Sequence, residues 1–246
     1  IGVAIRTAAF PKMTERLGQG RPDLFKKELQ AVLRVIVWLA LPVMVVAFFC
    51  RGYLVGFIAP GGDQYIADIL GILVLTILFR SIYFISARSF YAQQDTKTPL
   101  YISLFTISLN ITLAIWFSMG LNMGVYGLAW AAVIVSGLEV VILFAVMSRR
   151  IKGLFDSPFI NGVVRMASAA GFTTLVTYGM VVAFPLLADE QSFFSSFPKF
   201  ALIVGVSLLT YIIVCRLLKV EEVLPVLSRT KAIIVKILFK QPKINS

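Results

Sequence analysis

An all-α, polytopic transmembrane helix bundle is the fold class this sequence predicts, and three observations carry the expectation. Of 246 residues, 59% are hydrophobic and only 14% charged, against about 25% charged in a typical soluble domain. Six stretches stay mostly apolar over the ~20 residues that a helix needs to cross a bilayer. The segments joining them alternate between basic and non-basic along the chain. With a mean hydropathy of +0.91, the apolar residues must face lipid as well as core. Period-two alternation of polar and apolar residues is absent, which argues against a β-barrel.

The spans are expected at Ala31–Cys50, Ile66–Tyr91, Pro99–Met119, Gly124–Met147, Val163–Leu187 and Pro198–Leu218. Residues Ile1–Phe10 read as the tail of a further span. The chain starts at Ile1 inside an apolar run, so it reads as part of a longer protein. Pro42 lies mid-way along the first span and is expected to kink it, because proline lacks the backbone donor and clashes one turn back.

The connections fix the topology. Pro11–Gln30 carries Lys12, Arg16, Arg21, Lys26 and Lys27, whereas Arg51–Tyr65 has only Arg51 as a base. Ala92–Thr98 holds Lys97, with Arg88 just before it; Gly120–Met123 is uncharged. Ser148–Gly162 has Arg149, Arg150 and Lys152; Leu187–Phe197 has Asp189 and Glu190. Arg216, Lys219, Arg229, Lys231, Lys236, Lys240 and Lys243 crowd the C-terminal stretch. The positive-inside rule places the basic connections and the C-terminus in the cytoplasm. Val223–Lys240 is too charged to span and reads as a basic amphipathic helix on the anionic inner leaflet; a solvated tail is the alternative.

The net charge of +11 would suggest a nucleic-acid partner in a soluble protein; here the hydrophobicity excludes it. There is no histidine, which removes His-based acid–base chemistry and His metal sites. Cys50 and Cys215 are isolated and read as small hydrophobes rather than metal ligands or a disulfide. No Walker loop or ordered carboxylate pair is present, so no enzyme, metal or cofactor is expected.

Polar groups at membrane depth carry the functional information. A charge at a helix centre costs about 2.5–3.5 kcal/mol on insertion scales. Arg80 is mid-span, and at helical spacing it shares a face with Tyr83, Phe84, Ala87 and Tyr91. That stripe can line a polar cavity that admits an anionic head group; pairing with a neighbouring helix or snorkelling are the alternatives. Arg88 sits nearer the basic end. Glu139 is mid-span in the fourth segment and can pair with a base, titrate or help bind a cation, and Arg80 is a candidate partner. Asn110 and Ser108 are expected to make interhelical hydrogen bonds; an ion-ligand role for Asn110 is the sharper alternative. Ala167–Gly171 offers small residues for close helix packing.

Phe90–Pro99 reads FYAQQDTKTP. An aromatic pair followed by Gln94, Asp95, Thr96, Lys97, Thr98 and Pro99 resembles the hallmark turn of the MurJ (MviN) family. Thr98 can cap a helix that begins at Pro99, with Asp95 and Lys97 keeping the turn at the cytoplasmic surface. Ala8–Arg16 (AAFPKMTER), Leu41–Pro42 and the helix Gly124–Arg150 resemble further family features in the same order.

The resemblance implies a protein of fourteen spans, of which this chain supplies the end of the eighth through the fourteenth. It implies two six-helix lobes around a cavity that opens alternately to each side, as in the multidrug/oligosaccharidyl-lipid/polysaccharide exporter superfamily. Residues 1–10 would then end a truncated helix. Residues 11–150 would form the C-terminal lobe, 151–218 two additional helices that offer a groove for a polyprenyl tail, and 219–246 the basic tail. The implied cargo is lipid II, in the bacterial cytoplasmic membrane, with membrane lipids and cell-wall synthesis proteins as candidate partners. Glu139 stands where the family often has Asn, and Phe84 where relatives are often basic. Asn110 matches a family Asn, but Ala114 and Ala132 lack the side-chain oxygens some relatives offer a cation, which argues against sodium coupling. Two other functions stand beside this one: an exporter of O-antigen or capsule oligosaccharides, and a non-transporting membrane scaffold.

Overall fold

The computed structural model describes residues 22–58, 63–151, 153–186 and 193–222. Ile1–Phe10, the Ala8–Arg16 motif, Asp189, Glu190 and the basic stretch Val223–Lys240 lie outside the described residues. The elements are α1 (Pro22–Phe49), α2 (Arg51–Ile58), α3 (Gln64–Val74), α4 (Thr76–Ala92), α5 (Lys97–Ile115), α6 (Val125–Arg150), α7 (Ser157–Ala183) and α8 (Phe193–Leu217), with a π turn at Trp116–Gly120. No strand occurs among the described residues.

Among the described residues, six units are long and apolar enough to cross a membrane: Asp23–Phe49, Gln64–Ala92, Lys97–Gly120, Val125–Arg150, Ser157–Ala183 and Ser196–Leu217. These are the six expected segments, with helix ends shifted by a few residues except at the first. That helix starts at Pro22 rather than Ala31, because its first turns hide Phe25 and Leu29 in the core. The same helix runs through Pro42 without ending.

The second span is interrupted at Leu75. The Leu75 N–H bonds back three residues to the Ile72 carbonyl at 3.1 Å. The Thr76 hydroxyl donates to the Leu73 carbonyl at 2.6 Å. A side chain that competes for a backbone acceptor locally tightens a helix, so α3 and α4 are two pieces of one span.

The helices form a row in the order α8, α7, α1, α4, α6, α5, with α8 folded back onto α1. The main core joins Leu33, Ile36 and Val37 of α1 to Ile85 and Phe90 of α4, Leu143 and Met147 of α6, Met166 and Ala169 of α7 and Tyr211 and Cys215 of α8. Ala169 and Ala170, in the small-residue stretch, are buried, while Gly171 faces open space. Both cysteines are buried and free. At the far end of the row, α5 leaves Tyr101, Leu104, Phe105, Ile107 and Ile111 exposed. Gly127 lets α6 approach the π turn, since a Cβ there would lie 2.7 Å from the Phe117 backbone.

Contacts between connections test the charge alternation. At one end, Lys26 pairs with Asp156 at 3.1 Å and the Gln30 amide donates to the Leu154 carbonyl. Arg150 pairs with Asp95 at 2.6 Å, and Arg34 pairs with Glu222 at 2.5 Å and Glu221 at 3.6 Å. At the other end, the Tyr53 hydroxyl donates to the Phe184 carbonyl and Tyr65 packs edge-on against Tyr126. The basic connections therefore gather at one end of the bundle and the non-basic ones at the other.

Candidate functional site

The α4–α5 turn is built by its own sequence. The N–H of Asp95 bonds to the Phe90 carbonyl at 3.0 Å and that of Gln94 to the Tyr91 carbonyl at 3.0 Å. This double bond pattern closes a helix through a left-handed residue, and Gln94 takes that conformation with φ of 58°. The next helix begins at Lys97, two residues earlier than expected, and its cap is not Thr98. Asp95 does the capping: its Oδ1 accepts from the Thr98 N–H at 3.0 Å and its Oδ2 from the Thr98 hydroxyl at 2.6 Å. A carboxylate outcompetes a hydroxyl here because it accepts both bonds and complements the positive end of the helix. Pro99 then falls in the first turn, where a missing N–H costs nothing.

Arg150 stacks over the Phe90 ring and donates to the Thr98 hydroxyl at 3.0 Å. The bonds from Thr98, and then Arg150, hold the Asp95 carboxyl at a pKa of about 2. Gln94, Thr96 and Lys97 are exposed at the basic end.

A groove of ≈ 430 Å³ leads away from this turn, lined by Tyr83, Tyr91, Thr96, Pro99, Leu100 and Ser103. Tyr83 and Ser103 also line a second cavity of ≈ 220 Å³ at mid-span, with Arg80, Thr106, Ile107, Asn110, Ala132, Val135 and Glu139. The two spaces thus adjoin, running from the motif turn to the middle of the bundle.

Arg80 and Glu139 meet there, with Nη1 to Oε2 at 3.5 Å. The other carboxylate oxygen, Oε1, accepts from the Thr106 hydroxyl at 3.0 Å and the Ser103 hydroxyl at 3.2 Å. Ser103 in turn bonds the Tyr83 hydroxyl at 2.7 Å. Glu139 is buried, with a side chain only 6% exposed, whereas that of Arg80 is 52% exposed. Asn110 keeps a buried side-chain oxygen without a protein partner, and Ser136, one turn before Glu139, does the same with its hydroxyl.

Of the expected stripe, Arg80 and Tyr83 line the cavity and Tyr91 the groove. Ala87 instead belongs to the core and Phe84 is exposed, so the expected face is split. Neighbours on three sides of α4 divide a face that an isolated helix would present whole. Arg88 is half-buried and lines neither space. Ser108 does not reach another helix; its hydroxyl returns to the Leu104 carbonyl of its own helix. Neither does the Asn110 oxygen find an interhelical partner.

Ser103 and Thr106 are functional neighbours the sequence reading missed. With Asn110 they form a stripe at i, i+3 and i+7 on α5, the spacing of one helix face. That periodicity was the available signal. Chemically the site offers a half-free cation at mid-depth, a row of hydroxyls and a buried carboxylate. No group of three or more metal-capable side chains occurs among the described residues.

Comparison with known proteins adds an independent line. A family model described as lipid II flippase MurJ matches residues 1–213. A protein of Thermotoga maritima named "Probable lipid II flippase MurJ" is 26% identical over 233 residues, covering 93% of this chain and 44% of that protein. One of the same name from Borreliella burgdorferi is 25% identical over 155 residues, 60% of this chain and 30% of that protein. A third, from Rhizobium meliloti, is 22% identical over 194 residues, 76% of this chain and 36% of that protein. The chain spans less than half the length of each of these relatives.

Proposed function

The chain belongs to the lipid II flippase MurJ family, and we propose that it forms the C-terminal lobe of a flippase that carries lipid II across the bacterial cytoplasmic membrane by alternating access. In this reading residues 11–150 complete the lobe, 151–218 add two helices, and 219–246 lie as a basic tail on the inner leaflet. The basic end of the bundle faces the cytoplasm, as the positive-inside rule favours.

One observation carries the reading. A half-exposed Arg80 sits at mid-span in a cavity that adjoins a groove leading to the basic end. A cation at that depth costs about 2.5–3.5 kcal/mol to insert and marks a substrate path by default. Arg80 grips the pyrophosphate of the cargo through its planar fork. Tyr83 and Asn110 offer hydrogen bonds to the sugar head, whereas Arg88, which lines neither space, has no part in this reading. The isoprenoid tail stays in lipid. Cell-wall synthesis proteins that make or consume lipid II are the partners such an activity requires.

Complementation tests this. Arg80→Ala in the complete protein is expected to abolish growth of a flippase-depleted cell at normal expression. Normal growth at normal expression removes Arg80 from the mechanism.

A further inference from the structure

The two members of the mid-span ion pair are held very differently. Glu139 is buried and anchored: two hydroxyls, from Ser103 and Thr106, donate to its Oε1 at 3.2 and 3.0 Å. Those bonds do not involve Arg80. Arg80 touches only Oε2, through a single 3.5 Å contact, and half of its side chain is open to the cavity. A guanidinium has five N–H donors in a rigid fork, and this geometry engages few of them. Among the described residues, Glu139 is the one acid within ion-pair reach of Arg80.

We propose that Glu139 is an intramolecular competitor for Arg80: a resident counter-anion that the phosphate of the cargo displaces on binding and that reclaims the guanidinium when the cargo leaves. The inference rests on the reading that Arg80 grips the cargo anion. A diphosphate can take the fork in two parallel bonds, which the lone 3.5 Å contact to Glu139 does not, so exchange is favourable when cargo arrives. Glu139 then keeps both hydroxyl donors and stays anchored in place. Without a competitor, a cation in a low-dielectric cavity would hold a diphosphate too tightly to release it. Transport needs binding strong enough to load and weak enough to leave.

Glu139 is on this account a positioning and release residue that never touches the cargo. The signature is opposite in direction to that of a structural residue. Removing a structural group loosens the site; removing a competitor tightens it.

The test uses the complete protein in lipid nanodiscs, with a fluorescent polyprenyl diphosphate as probe and lipid II translocation measured in proteoliposomes. Glu139→Gln keeps the shape and the acceptor for Ser103 and Thr106 but removes the charge. It is expected to tighten diphosphate binding about tenfold, within the usual range of coupling between sites, and to slow both probe release and translocation. Glu139→Asp, which keeps the charge, is expected to return binding toward the wild-type value. In Arg80→Ala, binding weakens, and adding Glu139→Gln no longer tightens it. If Arg80→Ala weakens binding while Glu139→Gln leaves it unchanged or weaker, the competitor role is overturned and the Arg80 reading stands. If Arg80→Ala binds the diphosphate as tightly as wild type, both are overturned.

Discussion

Arg34 and Arg80 both sit inside predicted spans, and the bundle holds them in different ways. Arg34 of α1 is largely enclosed, 17% exposed, and so is its near partner Glu222 at 8%, with the open Glu221 beside them at the exit of α8. Gly162 lies close beside Arg34: a Cβ there would come 2.9 Å from its guanidinium, which would have to shift. Arg80 of α4 is the open member of its pair, 52% exposed, and the acid is the enclosed one. Arg34 therefore ties the segment after α8 to the central helix through two acids. Arg80 keeps donors to spare. Charge inside a membrane helix is thus not one signal: an arginine enclosed with its acid joins elements, whereas one left half-open keeps donors available to a ligand.

The sharpest way to break this comparison is to remove the enclosed arginine. Arg34→Ala strands a largely buried Glu222 and is expected to cost about 3 kcal/mol of stability, as loss of one member of a buried pair does. Thermal unfolding of the detergent-purified complete protein measures it, and a wild-type melting curve would reduce the clamp to an ornament of the surface.

Thr106→Val removes one of the two hydroxyls on Glu139 with little change of shape. The expected loss is about 2 kcal/mol, within the ~1.5–3 kcal/mol range for hydrogen bonds to a charged group, read from the same melting experiment. A neutral effect would mean that Glu139 is not held independently of Arg80.

Arg80→Ala leaves Glu139 buried without its cation but still held by Ser103 and Thr106, and is expected to cost about 1–2 kcal/mol, less than Arg34→Ala, while transport collapses. Equal losses of stability from Arg80→Ala and Arg34→Ala would erase the distinction between the two sites.

The smallest effect belongs to the motif turn. The folded carboxyl of Asp95 has a pKa of about 2, below its ordinary value of 3.8. Its contribution is therefore fully present above about pH 4 and is lost as pH falls through about 2. Exchange protection of the Thr98 amide should be unchanged between pH 7 and 5 and fall only in acid; Asp95→Asn should show weakened protection already at pH 7.

Much of this was legible in the residues. Hydrophobic runs gave the spans, and Lys and Arg placement gave the pairing of their ends, because burial in lipid and exclusion of positive charge act on each segment separately. Arg80 and Glu139 stood out because a charge in an apolar run is costly wherever the helix packs. The stripe around Arg80 was only partly legible. Whether Phe84 and Ala87 face cavity, lipid or core depends on which helices lie beside α4, and Ala87 met the core. Ser103 and Thr106 share a face with Asn110, which marks a polar stripe, but small hydroxyls are cheap to bury in any helix, so the stripe alone did not show that they hold Glu139.

The sequence by itself determined an all-helical membrane chain, its count of spans, the sorting of its ends and the family to which its turn motif belongs. These follow from local physics: propensity, hydropathy and charge are properties of short segments. Only the tertiary structure decided that Glu139 is the anchored partner and Arg80 the free one, that Asp95 rather than Thr98 caps α5, and that Arg34 is consumed by acids from the far end of the chain. Each is a competition among several groups for the same donor or acceptor, and its outcome depends on distances between helices that no single segment encodes.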